Sequence, residues 1–156
     1  ATAFSDFAEM PEPKKEELNV VEVVELAIDI FNRDQISFKA SSSKILANFD
    51  RTQLIRVITN LLKNAFQAIP DDRNPEIKVS ISEKDADVNI SISDNGYGIS
   101  KMDTEKIFEP SFTTKSSGMG LGLSMIKSII TAYNGSITFT SKSNVGTTFN
   151  ITFPKK

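Results

Sequence analysis

The sequence predicts a two-layer α/β sandwich, with one mixed, mostly antiparallel sheet covered on one face by about three helices. Three observations carry this. Apolar residues recur at helical spacing over residues 20–32, 50–69 and 121–133. Several short segments alternate apolar and polar residues, most of them facing each other across tight turns. The length of 156 residues, with 39% hydrophobic and 24% charged, suits a domain with a real hydrophobic core.

Taken in order, Ala3, Phe4, Phe7 and Ala8 fall at helical spacing, so residues 1–10 read as the tail of a longer helix that Pro11 and Pro13 stop. The charged stretch Lys14 to Glu17 reads as a linker. Asn19 caps the next helix, with Glu22 in capping-box position, and the helix runs from Val20 to about Asn32. Ile36–Ala40 and Ile45–Phe49 read as short strands joined by a Ser-rich turn. Asp50 then caps a long helix to about Ile69, followed by Pro70. Ile77–Ser82 and Val88–Ser93 are antiparallel strands turning at 84–87. A glycine-containing loop spans 94–99, and residues 100–118 are mostly irregular, with a helical turn near 103–108. A last helix, Leu121 to Tyr133, ends at Asn134-Gly135, before a hairpin of Ser136–Ser141 and Thr147–Phe153.

Composition narrows the chemistry. The net charge of −2 lacks the basic excess of a nucleic-acid binder, so no nucleic-acid partner is expected. With no cysteine there is no disulfide, thiolate metal site or thiol nucleophile, and with no histidine the commonest general base is missing. Carboxylates, amides, hydroxyls, lysines, backbone N–H groups or a bound ion must do the work. No apolar run approaches the ~20 residues of a membrane span. The chain is expected to be soluble and cytoplasmic, with a parent protein anchored in the inner membrane left open.

Four stretches carry the candidate chemistry. In the helix 50–69, Gln53, Asn60, Asn64 and Gln67 form a narrow amide stripe bordering the apolar face. On this helix alone, plain surface polarity explains the stripe as well as a ligand does. Asp94-Asn95-Gly96-Tyr97-Gly98-Ile99 follows a strand directly. Its glycines admit positive φ and close approach, and Asp94 can accept a hydrogen bond from an exocyclic amine such as that of adenine. An Asx turn is the plainer alternative. Gly118-Met119-Gly120-Leu121-Gly122-Leu123-Ser124 runs into a helix, where exposed backbone N–H groups and the helix dipole suit a phosphate chain. Five of the seven glycines lie in these two loops, which weighs against mere flexibility. Between them, Ile107 to Ser117 has the composition of a hinged lid pinned by Phe108 and Phe112, with Lys115 three residues before the glycines. Lys115 reads equally as a solvated lysine. Finally, Gly146-Thr147-Thr148-Phe149 opens the last strand, where a threonine hydroxyl can assist Asp94 or simply follow β-propensity.

Together these segments resemble the GHKL ATPase superfamily and, within it, sensor histidine kinases. The order is that of the N box (DRTQLIRVITNLLKNAFQAI), G1 box (DNGYGI), F box (IFEPSFTTK), G2 box (GMGLGLS) and a closing GTTF, over residues 18–154. The short lid with FTTK and Gln67 is most similar to nitrogen-regulation kinases of the NtrB/NtrY type. The resemblance implies a Bergerat-type fold and a site that binds ATP with Mg2+. That site comprises Asn60, Asn64, Asp94, Gly96, Gly98, Ile99, Phe108, Thr114, Lys115, Gly118, Gly120, Leu121, Gly122 and Thr147. Asn64 is the implied magnesium ligand with Asn60 in support. Asp94 holds the adenine amine, and Lys115 meets the γ-phosphate. A response regulator and a histidine-bearing dimerisation domain are the implied partners.

Two departures stand out. Gln67 replaces a residue that is basic in many relatives, and the chain has no acceptor histidine. Residues 1–17 are therefore read as the tail of the dimerisation helix plus linker, and 18–156 as the catalytic domain. The chain itself is expected to be monomeric and the full-length protein a homodimer. Rival readings are a water-activating ATPase of the gyrase, MutL or HSP90 kind, a serine-kinase relative, and a nucleotide-gated module without catalysis. The first places a glutamate where this chain has Asn60, and an amide is no base.

Overall fold

The computed structural model describes residues 12–109 and 119–156. Its elements run β1 (Glu16–Asn19), α1 (Val20–Ile28), β2 (Ile36–Ala40), β3 (Leu46–Phe49), α2 (Arg51–Gln67), β4 (Ile77–Lys84), β5 (Asp87–Ser93), α3 (Met119–Ala132), β6 (Ser136–Lys142) and β7 (Gly146–Pro154). A five-stranded sheet has the order β2-β4-β5-β7-β6, parallel between β2 and β4 and antiparallel elsewhere. It is the mixed, mostly antiparallel sheet that the pattern predicts. The proposed helical tail at residues 1–10 lies outside the described residues.

Alternation decides the two faces of the sheet. Ile77, Val79 and Ile81 of β4, Val88, Ile90 and Ile92 of β5, and Phe149, Ile151 and Phe153 of β7 are buried, while Lys78, Ser80, Ser82 and Asn89 between them are exposed. Against the apolar face lie the buried stripes of α1 (Val20, Val23, Val24, Ala27), α2 (Leu54, Val57, Ile58, Leu61, Leu62) and α3 (Ile126, Ile129, Ile130). Phe49 stacks on Tyr133 with ring centroids 3.7 Å apart and leans on Phe153 at 4.9 Å. Among the described residues no helix is long and apolar enough to cross a membrane.

The helix ends obey local chemistry. Asn19 Oδ1 accepts from the Val21 N–H, which starts α1, and also from Ile45 N. α1 ends at Ile28, earlier than Asn32. The bonds from Ile30 and Phe31 contract to the third residue back, and Asn32 instead caps a 3-10 turn, Arg33–Gln35, through Asp34 N. Asp50 Oδ1 accepts from Gln53 N at 3.0 Å as the cap of α2. α3 closes with Asn134 at φ 61° and Gly135 N donating to Ile130 O, a Schellman ending. Residues 100–109 form successive turns rather than a helix.

One strand arises where none is expected. The stretch expected as a linker supplies β1, which pairs antiparallel with β3 in a separate two-stranded ribbon, with Glu17 opposite Asn48. Only Leu18 of its residues is fully buried, too little apolar signal for the sequence to announce a strand. The Ser-rich turn joins β2 to β3 as expected, and it passes between the two sheets. On the other side of β3, Asn48 N donates to Lys155 O, and Lys155 N reaches Ala86 O in the β4–β5 turn. Ahead of β1, Lys14 N donates to Asp50 Oδ2 at 2.7 Å and the Lys15 ammonium stands 5.0 Å over the Tyr133 ring.

Candidate nucleotide-binding site

The site is built where β5 ends. Asp94 follows the last residue of β5, and its N–H donates to Thr147 O at the start of β7. Its side chain is fixed by two backbone donors: Gly96 N reaches Oδ1 at 2.8 Å and Thr147 N at 3.3 Å. Oδ2 has no protein partner among the described residues. Burial pushes the Asp94 carboxyl above the ordinary carboxylate range, and the two N–H bonds oppose that rise. A carboxylate held with one oxygen engaged and one free is an acceptor of fixed direction.

The loop around it is tight. A Cβ on Gly96 would stand 2.4 Å from the Ala68 carbonyl oxygen, so close backbone approach makes this position glycine. Gly98 is required for another reason, its φ of +80°. Positive φ was expected at either glycine and occurs at Gly98. Tyr97 N donates to Ala68 O, and Asn144 N to Tyr97 O, tying the loop to the end of α2 and to the β6–β7 turn.

A cavity of about 390 Å³ opens beside Asp94, within the range of small-molecule sites. Ala68, Ile99, Ile107, Leu123 and Phe149 give it apolar walls; Asn64, Asp94 and Thr147 give it polar ones. Asn64 on α2 is only 6% exposed, and its Nδ2 has no hydrogen-bond partner among the described residues. A buried amide group left unpaired costs about 1–3 kcal/mol, so its place on the cavity wall points to a ligand that pairs it.

The other predicted positions sort as follows. Thr147 is buried on the wall, but its hydroxyl pairs with Ser141 Oγ at 2.9 Å, and its backbone N–H is what supports Asp94. Asn60 turns back on its own helix, with Nδ2 donating to Arg56 O at 2.8 Å. Its Oδ1 lies 3.7 Å from where a Cβ on Gly122 would stand, which joins α2 to the start of α3 at the site's edge. Gly120 and Gly122 belong to the first turn of α3 and not to a loop ahead of it, and Leu121 lies between them. The N–H groups of that turn have no intrahelical acceptor. Phe108 packs edge-on against Phe139 at 6.0 Å, with Lys127 Nζ 5.2 Å over its ring, so Ile107 and not Phe108 faces the cavity. Gln53 leaves the amide stripe altogether: it is buried, and its Oε1 accepts from the Tyr133 hydroxyl. Thr114, Lys115 and Gly118, with residues 110–117 of the lid expected over 107–117, lie outside the described residues.

Ser141 and Arg73 carried no recognisable signal. Ser141 Oγ accepts from Ile99 N at 2.7 Å, and Arg73 reaches the carbonyls of the Asp94 loop. Each acts on backbone distant in sequence, with no motif around it. Among the described residues no cluster of three or more His, Cys, Asp or Glu side chains is placed to hold a metal.

Comparison with known proteins gives the family and the fold. Residues 49–156 match the family described as histidine kinase-, DNA gyrase B-, and HSP90-like ATPase. The sensor histidine kinase ZraS of Escherichia coli K12 is 38% identical over 120 residues, covering 77% of this chain and 25% of that protein. The nitrogen regulation protein NtrY of Azorhizobium caulinodans is 32% identical over 142 residues, covering 86% of this chain and 18% of that protein. The chain thus spans a quarter or less of the length of these relatives. The catalytic domain of histidine kinase ThkA, solved free of nucleotide, superposes with a TM-score of 0.81 at 31% identity, covering 91% of this chain and 96% of that one.

Proposed function

The chain belongs to the histidine kinase-, DNA gyrase B- and HSP90-like ATPase family, and we propose that it is the ATP-binding catalytic domain of a sensor histidine kinase, transferring the γ-phosphate of Mg-ATP to a histidine on a separate helical domain for relay to a response regulator. The observation that carries this reading is the Asp94 carboxylate, locked through Oδ1 and open at Oδ2, at the wall of an apolar cavity.

The free oxygen of Asp94 accepts the exocyclic amine of adenine, and Ile99, Ile107, Leu123 and Phe149 sandwich the base and exclude water. The phosphates extend toward the first turn of α3, whose free N–H groups and dipole favour anions. Lys115, assigned on sequence grounds, neutralises charge on the γ-phosphate. Asn64 is the residue that would hold Mg2+: its buried Nδ2 lacks a partner among the described residues, and turning the amide about its last torsion presents the oxygen there instead. Bound there with oxygens of the nucleotide and water as its other ligands, the ion would offset phosphate charge. The chain's own residues contribute position and electrostatics, which is most of what phosphoryl transfer asks.

Asn60 favours a kinase over a hydrolase. It is an amide tied to Arg56 O, and it offers no carboxylate to take a proton from water. In the parent protein, residues ahead of β1 lead to the histidine-bearing domain, through which the full-length protein dimerises. A cytoplasmic location is the one that a supply of ATP supports.

The test is calorimetric titration of the chain with a non-hydrolysable ATP analogue, with and without Mg2+, followed by labelling of a histidine-bearing helical domain supplied in trans. Micromolar-range binding is expected. Asn64→Ala is expected to lose about tenfold, ~1.4 kcal/mol, with Mg2+ present and little without it. A folded chain that binds no nucleotide, or that hydrolyses ATP rapidly without an acceptor, overturns the reading.

A further inference from the structure

Arg73 sits in the segment between α2 and β4, half-buried and outside the cavity. It forms no salt bridge among the described residues, so its guanidinium is spent on something other than a carboxylate. Its Nη1 donates to two consecutive carbonyls of the site loop, Asn95 O at 2.6 Å and Gly96 O at 3.0 Å. The first is the informative bond. The Asn95 carbonyl and the Gly96 N–H are the two ends of one peptide plane, and that N–H is the 2.8 Å donor to Asp94 Oδ1. A cation therefore holds one edge of a rigid plane whose other edge holds the carboxylate.

We propose that Arg73 is a positioning residue for nucleotide recognition: by clamping the Asn95–Gly96 peptide it fixes the direction in which Asp94 presents its free oxygen. The inference rests on the reading that this oxygen meets the adenine amine. Two physical effects act together. A charge-assisted bond to the carbonyl orients the plane, and it polarises the peptide so that the opposite N–H becomes a stronger donor. The surroundings serve the same plane. Asn95 Oδ1 accepts from Glu76 N, and Asn95 Nδ2 donates to Asn74 O, so the segment bearing Arg73 is stitched to the loop at four points. Gly96 cannot shift toward α2, because the Ala68 carbonyl lies behind it. With the clamp removed, the Asn95 carbonyl loses its charged donor, and the plane is left with its link to Asp94 and the two neutral bonds of the Asn95 side chain, which leave it freer to turn. Both clamp bonds come from one nitrogen, so a lysine can restore them in part.

The experiment compares two ligands on the full chain by calorimetry: ATP, and purine riboside triphosphate, which lacks the 6-amino group. In the parent, ATP is expected to bind at least about tenfold tighter. In R73M the affinity for ATP is expected to fall by about tenfold while that for the amine-less analogue holds within about twofold, collapsing the ratio. R73K is expected to recover most of the ratio. A general loosening of the fold lowers both affinities and leaves the ratio intact. A parent that binds both ligands equally overturns the assignment of Asp94 and this inference with it. A discriminating parent beside an equally discriminating R73M overturns the role of Arg73 alone. Should R73M not fold, R73Q takes its place, read by the same ratio.

Discussion

Asp94 is a charge that the nucleotide-free chain carries at a cost. Burial dominates its environment and holds its pKa above the ordinary carboxylate value. Between that value and the folded one, the folded chain binds more protons than the unfolded chain. Stability therefore falls as pH rises through that window. An asparagine keeps an oxygen for Gly96 N and Thr147 N but folds without desolvating a charge. Asp94→Asn is accordingly expected to raise the urea midpoint at pH 7, and to lose that advantage at pH values low enough to protonate Asp94 in both states. The same variant is expected to bind no ATP analogue, because its amide would turn a donor toward the adenine amine. A lower midpoint at pH 7 would mean that the two hydrogen bonds to the carboxylate outweigh its burial.

Helix α2 supplies Asn60 and Asn64, and its N-terminus is secured from a distance. The Asp50 N–H donates to the Tyr133 hydroxyl at 3.0 Å, and that hydroxyl donates to Gln53 Oε1 at 3.0 Å, joining the start of α2 to the end of α3. Burial pushes the Tyr133 phenol up, so it stays protonated and able to donate. Tyr133→Phe keeps the stack on Phe49 and removes the hydroxyl. The expected cost is about 1–2 kcal/mol of unfolding free energy, with nucleotide affinity nearly unchanged. An unshifted urea midpoint would show that water replaces the hydroxyl. The sequence announced α2 through its cap and apolar stripe, and it announced the β4–β5 and β6–β7 hairpins through alternation and turn residues. It could not announce the Tyr133 tie, which spans 83 positions, nor the parallel pairing of β2 with β4, nor β1 with its single buried leucine. Around the cavity, Asp94, Gly98 and Thr147 stood out because each sits in a short local pattern, although Thr147 reaches Asp94 through its backbone N–H and not through the expected hydroxyl. Arg73 and Ser141 were not, because their partners are backbone groups of other segments. Gln53 was grouped with the site amides because helical spacing alone cannot tell a wall of the cavity from a contact beneath it.

At the scale of the molecule, the cavity and the stitched ends of the described chain lie at opposite ends of the sheet. Asp94, Lys142 and Thr147 gather at one end; the β4–β5 turn, Ser41 and Lys155 gather at the other. Since β3 lies between β1 and Lys155, two neighbouring-strand spacings of about 4.8 Å each separate the first strand from the last residues. That gap is short enough to close covalently. A circular permutant that joins Lys156 to Glu16 through a flexible linker of about six residues, and opens the chain between Ser42 and Ser43 in the exposed turn after β2, reorders the sequence without disturbing the cavity. It is expected to unfold in one cooperative transition and to bind the ATP analogue within about threefold of the parent by calorimetry. Loss of binding in a folded permutant would mean that the original direction of entry into β1 is needed to set the helices around the site. The five boxes keep their order in this permutant, and only β1, α1 and β2 move to the other end of the chain; success would make the place of these three elements in the sequence a matter of ancestry and leave their place in space as the physical requirement.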